Sequence, residues 1–287
     1  MTVIKAINRA SEKLIAAGIS TARLDAEVLL SHIFMRDRAW LITHRDEALD
    51  ETKLGLFEAA INRRSRREPL QYITGRQEFW GLDFNVTPDV LIPRPETELI
   101  VESALKIIRA ASRAVLVVDL CVGSGCIAVT LAKESDTVRI FATDTSERAL
   151  AVARGNARKH SVSDRIRFLE GDLFGPLAEF DLKGMVDLIV SNPPYVRSGD
   201  LPALQPEVRD FEPELALIAG PEGTEIQQRI IDAAPGFLRK DGSLIMEIGL
   251  GQSVSLTGIV NDSRKYEIPE ILKDLAGIKR VIIARKK

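Results

Sequence analysis

Asn192-Pro193-Pro194-Tyr195 follows the largely apolar stretch 186–190 and Ser191, and combines residue types that a strand end does not need. Proline has no N–H for the ladder and fixes its own φ, so the two prolines end the strand and stiffen the loop beyond it. That leaves the amide and the phenol to be explained. An Asn side-chain oxygen and a proline carbonyl, held on a stiff turn, are two acceptors that together can fix both hydrogens of a planar –NH2 group. An aromatic ring can cover the flat face of that group. Acceptors on both N–H bonds return electron density to a nitrogen whose lone pair is delocalised, and aim it at an electrophilic methyl carbon. The chemistry expected is methyl transfer to an amide or exocyclic amine, with Asn192, Pro193 and Tyr195 catalytic and Asn192, Pro193, Pro194 and Tyr195 holding the substrate. His32, His44 and His160 lie far from the motif in sequence and read as ordinary core or surface residues. No metal site is expected.

A second constellation lies upstream. The strand at residues 115–119 runs into Asp119-Leu120-Cys121-Val122-Gly123-Ser124-Gly125-Cys126-Ile127-Ala128. Gly123 and Gly125 allow a sharp turn and close backbone approach to a ligand. The helix after the turn offers free N–H groups to an anion. The pattern also satisfies the loose dinucleotide fingerprint, which is weak alone. Asp144, at the end of the next strand, stands where a ribose-binding acid belongs. Asp119 would repel a pyrophosphate but could pair with the ammonium of a methionine moiety, and Asp172 could accept from an adenine amino group. Either carboxylate could instead cap a helix. S-adenosylmethionine is favoured over NAD, with Asp119, Cys121, Val122, Gly123, Ser124, Gly125, Asp144, Asp172, Leu173 and Asn192 as its expected contacts.

The elements that must position these residues are read from periodicity. Residues 1–68 read as helical: Ile4, Ile7, Leu14 and Ile15 share one face, and Leu24, Val28, Leu29 and Ile33 repeat the spacing. Gly18 closes the first helix and Ser20 or Thr21 caps the second. A further helix from Glu51 runs into the basic stretch 63–67, which reads as a solvated helix end or a steering patch for an acidic partner. Residues 71–75 and 79–84 look like short strands of a connector spanning 69–97, and the stretch ending at Thr97 leads into a helix. From residue 98, apolar strands at 115–119, 139–143, 166–169, 186–190, 243–248 and 281–284 alternate with helices, which gives a mostly parallel sheet wrapped by helices. Ligands bind at the carboxyl ends of such strands, where the tetrapeptide lies.

Bulk properties narrow the class. The 287 residues are 45% hydrophobic and 28% charged, with net charge −2 and pI near 6.1, which argues against a polyanion-binding surface. Lys5, Arg9 and Lys13 interrupt any signal-peptide core, and the run 114–118 is too short to span a membrane. Two cysteines, Cys121 and Cys126, fit a reducing compartment. A cytoplasmic location is expected.

These motifs bring a family with them. The tetrapeptide with the glycine turn resembles the class I S-adenosylmethionine-dependent methyltransferases of planar nitrogens. Pro69-Leu70-Gln71-Tyr72-Ile73-Thr74-Gly75, Glu78-Phe79-Trp80 and Thr87-Pro88-Asp89-Val90-Leu91-Ile92-Pro93-Arg94-Pro95-Glu96-Thr97-Glu98 are similar to the HemK/PrmC family, the release factor-specific protein-(glutamine-N5) methyltransferases. Phe211-Glu212-Pro213, Leu215-Ala216-Leu217, Gly220 and Glu247-Ile248-Gly249 also match, so the resemblance spans the chain. It implies an α/β fold: a Rossmann-like class I methyltransferase domain over 98–287, with a mostly parallel seven-stranded sheet and helices on both faces. A small all-helical substrate-recognition domain (1–68) and a short β-hairpin connector (69–97) precede it. It implies S-adenosyl-L-methionine as methyl donor, S-adenosyl-L-homocysteine as product, and the glutamine of the GGQ motif in class I peptide chain release factors as substrate. The partner is then a protein rather than nucleic acid or membrane, and the working form a monomer. The family usually has glycine at Cys121, threonine at Val122 and can have an aromatic residue at Leu173.

Three rivals stay open on sequence alone. A glutamine methyltransferase of a ribosomal protein would use the same loop, although the stretch at 92–98 favours the release-factor branch. An adenine-N6 or cytosine-N4 DNA methyltransferase would need a basic target-recognition region that this chain lacks. A non-catalytic sensor of S-adenosylmethionine would not need the substrate-side segments.

Overall fold

Helical spacing governs the first of two units in the computed structural model, which describes residues 1–287. This unit holds residues 1–76 together with 205–211. Its helices are α1 (Val3–Ala16), α2 (Ala22–Phe34), α3 (Arg38–Thr43), α4 (Glu51–Ser65) and α5 (Leu70–Thr74). Asp37 and Asp50 start α3 and α4 by accepting the N–H groups of Trp40 (2.7 Å) and Lys53 (2.9 Å). Gly18 turns the chain with φ 74°, whereas Thr21 precedes α2 without a side-chain cap.

The structure corrects two sequence expectations in this unit. The buried stripe of α1 is Val3, Ala6, Ile7, Ala10 and Leu14, and that of α2 is Ala22, Ala26, Leu29 and Leu30; Ile15 is 65% exposed and Leu24 43%. The large residues Ile4, Ile15 and Leu24 suggested a slightly rotated face, but alanines occupy the true seam, where small side chains let helices approach. Residues 71–75 form no strand. β-Branched and aromatic residues suggested one, yet the Pro69 carbonyl accepts the N–H groups of Tyr72 and Ile73, and Gly75 closes the helix at φ 72°.

The basic stretch divides: Arg63 and Arg66 are exposed, as a solvated end would be, whereas Arg64 and Arg67 are tied into ion pairs. Arg64 is buried; its Nε donates to Asp25 at 2.7 Å and its terminal nitrogens to Glu207 at 3.1 Å. Arg67 donates to Glu207 (2.7 Å) and to the Gly18 carbonyl (2.8 Å), and Arg63 pairs with Glu68.

The second unit, residues 77–204 and 212–287, carries the sheet. A hairpin of β1 (Arg76–Phe79) and β2 (Leu82–Asn85) turns at Trp80-Gly81. Then come α6 (Glu98–Ala110), β3 (Val115–Leu120), α7 (Cys126–Glu134), β4 (Val138–Asp144), α8 (Glu147–Lys159), β5 (Ile166–Glu170) and β6 (Val186–Ser191). β7 (Val196–Arg197) pairs with β8 (Ile218–Gly220), and α9 (Pro206–Arg209) between them belongs to the first unit. The chain ends with α10 (Glu225–Phe237), β9 (Leu238–Glu247), α11 (Ser253–Asp262), β10 (Glu270–Lys273) and β11 (Lys279–Arg285).

The seven strands lie in the order β10-β11-β9-β6-β3-β4-β5, parallel from β9 through β5, with β11 antiparallel to both neighbours. Alternate residues feed two cores: Val117, Leu188, Val190 and Ile245 pack with α6, α7 and α8, while Val118, Ile189, Leu244 and Met246 pack with α10 and α11. Covered on both faces, the central strands are mostly apolar, with Asp119 in β3 and Asp187 in β6 as buried exceptions. β3 and β6 are neighbours with Leu120 beside Ser191. β4 and β5 extend to one side of them and β9 to the other, so the topological switch point falls where the glycine turn and the tetrapeptide leave the sheet. No helix is long and apolar enough to cross a membrane.

Candidate active site

The glycine turn is tied to its neighbours through the backbone. Cys121 leaves β3 at φ 59°, in the left-handed region where glycine is free and a Cβ costs about 1–2 kcal/mol. Val122 N–H donates to the Thr143 carbonyl (3.1 Å), and Gly123 N–H donates to Asp144 Oδ2 (2.9 Å). Ser146 N–H holds Asp144 Oδ1 at 2.9 Å, so this carboxylate is fixed at the end of β4. Gly125, at φ 81°, seats α7 against α8: a Cβ there would lie 3.1 Å from that of Ala153. Asn156 on α8, fully buried, accepts from Asn85 N–H (2.8 Å) and donates to the Asn85 and Ser124 carbonyls. It thereby joins the hairpin to the turn. Thr143 Oγ1 donates to the Leu173 carbonyl (2.9 Å), which sets the height of the 172–173 corner.

The loop after β6 is held by side chains from three directions. Asn192 Nδ2 donates to Thr97 Oγ1 at 3.1 Å, while Asn192 Oδ1 is buried without a protein partner. Thr97 Oγ1 donates to Glu247 Oε2 at 2.6 Å, and the Tyr195 hydroxyl donates to Glu247 Oε1 at 3.3 Å. Gln252 Nε2 donates to the carbonyls of Tyr195 (3.0 Å) and Gly223 (2.8 Å), and its Oε1 accepts from Gly249 N–H and Gln227. The tetrapeptide is therefore pinned at both ends.

Between the turn and the loop lies a cavity of 420 Å³, within the range of small-molecule sites. Cys121, Val122, Gly123, Ser124, Asp144, Asp172, Leu173, Asn192 and Pro194 line it, with Val90, Leu91 and Pro93 closing one side and Leu215 and Ile218 another. Gly125, Pro193 and Tyr195 are not among its lining residues. Asp119 also departs from the expected direct contact. It is 1% exposed and its Oδ2 accepts the Ala128 N–H (3.1 Å), the helix-capping alternative, while Oδ1 has no protein partner. One oxygen of Asp172 is taken by Arg229, which lines the rim beside it.

Sequence reasoning missed Thr97, Asn156, Gln252 and Arg229 as parts of this arrangement. Nothing local marks them, because each acts on a residue tens of positions away. Glu247, a charge closing an apolar strand, carried a visible signal without a role.

Residues 5–75 match the family model of the PrmC N-terminal domain, and residues 97–204 that of the methyltransferase small domain. The chain is 45% identical over 258 residues to the release factor glutamine methyltransferase of Geobacter sulfurreducens, covering 90% of this chain and 88% of that one. The chain belongs to the release factor glutamine methyltransferase family. The family member of Moorella thermoacetica is 39% identical over 287 residues, covering 100% of this chain and 99% of its own length. At the level of fold, a methyltransferase structure from Pyrococcus furiosus aligns with a TM-score of 0.52 at 16% identity, covering 78% of this chain and 98% of that one.

The electrostatics of the site in this family member are dominated by buried carboxyls. Burial pushes Asp119 well above the ordinary range, opposed by the Ala128 N–H, and burial likewise raises Asp144 against the N–H groups of Gly123, Ser146 and Thr145. Burial and then Asp144 push the Cys121 thiol up, so it is a neutral wall group. Glu247 is raised by burial from 4.5 to about 7, against the opposing pull of Thr97 and Tyr195. The folded protein then holds this proton to a higher pH than the unfolded chain does. Stability attributable to Glu247 is full below pH 4.5 and is lost as pH rises through about 7, a loss of roughly 3 kcal/mol.

Asp187 acts with the opposite sign. Burial works to raise it, but Arg113, the Leu116 N–H and Arg239 hold it below 3.8, so its contribution fades only in stronger acid. We expect Glu247→Gln to gain stability over wild type at pH 8 and not at pH 4.5, measured by denaturant unfolding at both values. Equal differences at the two values would show that the carboxyl titrates normally.

Proposed function

We propose that this chain transfers a methyl group from S-adenosylmethionine to the side-chain amide nitrogen of the glutamine in the GGQ motif of class I peptide chain release factors. The observation behind this is Asn192 Oδ1, a buried acceptor without a partner at one end of a cavity whose other end carries Asp144 and the glycine turn. The residues present fit an adenosine cofactor. The Asp144 carboxylate suits a ribose diol, Asp172 and Leu173 the adenine, and the bare backbone at Gly123 a methionine carboxylate. Asp119 supports the turn from behind, with one buried oxygen on the Ala128 N–H and the other without a protein partner.

When bound, S-adenosylmethionine supplies an electrophilic methyl carbon and is spent as S-adenosylhomocysteine. Asn192 Oδ1 and the Pro193 carbonyl each accept one N–H of the glutamine amide, and Tyr195 backs the loop that carries them. This fixes the plane of the amide and raises electron density on nitrogen without a covalent enzyme intermediate. The methylated nitrogen is acidic, so its extra proton leaves to water without a dedicated base. The relatives in Geobacter sulfurreducens and Moorella thermoacetica bear the name release factor glutamine methyltransferase, which favours a release factor over a ribosomal protein as the acceptor. The proposed compartment is the cytoplasm, where translation termination occurs.

The test is incubation with labelled S-adenosylmethionine and a class I release factor, alongside a GGQ-to-GGA version of it. Label is expected in the first alone. Label in ribosomal protein or in DNA, with none in the release factor, overturns the assignment.

A further inference from the structure

Thr97 lines the cavity beside Asn192 and Glu247 does not, and both are buried, Glu247 at 2% and Thr97 at 1% exposure. An ionised carboxylate can only accept hydrogen bonds, whereas a hydroxyl both donates and accepts. Because Thr97 Oγ1 spends its hydrogen on Glu247 Oε2 at 2.6 Å, what it offers Asn192 is a lone pair. Only the –NH2 end of the Asn192 amide can meet a lone pair. The carbonyl end must then face the other way, and this is the buried oxygen without a protein partner. The direction of the Asn192 amide is thus dictated from two residues away. A flip by half a turn would place an –NH2 against the N–H groups of the substrate amide.

We infer that Thr97 and Glu247 are positioning residues that form a polarity relay, Glu247–Thr97–Asn192, fixing which end of the Asn192 amide faces the acceptor nitrogen. The inference rests on the amide-clamp reading of the tetrapeptide and adds the device that sets it. Tyr195 reports the same control from the other oxygen, since its hydroxyl also donates to Glu247. A proton on Glu247 would turn one of its oxygens into a donor and break either the Thr97 or the Tyr195 bond. The other charged or titratable groups around Glu247 are Glu96, Arg280 and Cys126, with Arg280 itself bonded to Asp274. None of them contacts Thr97 or Asn192 through a hydrogen bond, so the relay has one ionisable terminus.

The experiment combines five variants of the full-length protein. Thr97→Val keeps the shape and removes the hydroxyl; kcat for release-factor methylation is expected to fall 30-fold or more, with cofactor affinity by calorimetry within about threefold. Thr97→Ser restores the hydroxyl and is expected to recover at least a third of the lost activity. In an Asn192→Ala background, Thr97→Val is expected to cost no more than a further threefold, because its target is gone.

Outside activity, the side-chain amide signal of Asn192 in the free, asparagine-labelled protein is expected to shift with a midpoint near neutral pH. That titration disappears in Glu247→Gln. Full additivity of the two substitutions, or an Asn192 signal that titrates identically in Glu247→Gln, overturns the relay. Should Thr97→Val fail to fold, the amide titration decides alone. If Asn192→Ala by itself leaves turnover intact, the amide clamp is what fails, whereas a damaged Asn192→Ala beside an unaffected Thr97→Val removes the relay and leaves the clamp standing.

Discussion

Asn192→Ala will lower turnover on a release factor by about two orders of magnitude or more, while cofactor binding measured by calorimetry changes only a few-fold. The size reflects the group removed. Asn192 Oδ1 is an acceptor already desolvated and already aimed by Thr97, so it contributes without reorganisation at the moment of reaction, where such groups count most. The selectivity for kcat comes from placement: the cofactor-facing features are the turn and Asp144, on β3 and β4, whereas Asn192 leaves β6. Asn192→Asp is the informative companion, because a carboxylate keeps the acceptor but cannot donate to Thr97. If Asn192→Ala retains more than half of wild-type turnover, the clamp is assigned to the wrong residue.

Arg64→Ala will destabilise the first unit by about 3–5 kcal/mol, read from denaturant unfolding followed by the Trp40 signal. Arg64 is shared by two carboxylates, Asp25 on α2 and Glu207 on the segment 205–211, and the side chains of Arg64 and Asp25 are 8% and 5% exposed. Removing it leaves a buried negative charge without a counterion beside a second, half-satisfied one. The cost is that of the broken arrangement rather than the net worth of the pairs, so a combined Asp25→Leu, Arg64→Met, Glu207→Leu replacement is expected to recover most of the loss. A loss below about 1 kcal/mol in Arg64→Ala would mark the guanidinium as solvated, as an exposed pair contributes no more than that.

The strands of the central sheet could be read because burial on both faces leaves a local trace: a continuous apolar run ended by glycine, proline or a charge. Residues 115–119 carry that trace outright and residues 186–190 carry it around Asp187, and the structure extends each by one residue. β10, with half-buried residues and charges at both ends, carries none, since an edge strand buries little. The segment 71–75 failed for the opposite reason. Its propensity is real but worth only tenths of a kcal/mol per residue, less than the bonds to the Pro69 carbonyl and the left-handed Gly75.

The inventory of chemistry is legible along the chain: two acceptors on a rigid turn, a glycine-rich bend, and an acid at the end of the next strand. Each is a property of neighbours along the chain. Folding is what puts Asp119 behind the turn, makes Arg64 a buried counterion, and links Asn192 through Thr97 to Glu247 across sequence gaps of 95 and 55 residues. Hydrogen-bond direction and burial belong to groups brought together by folding, and a carboxylate becomes an orienting device only once water has been removed from around it.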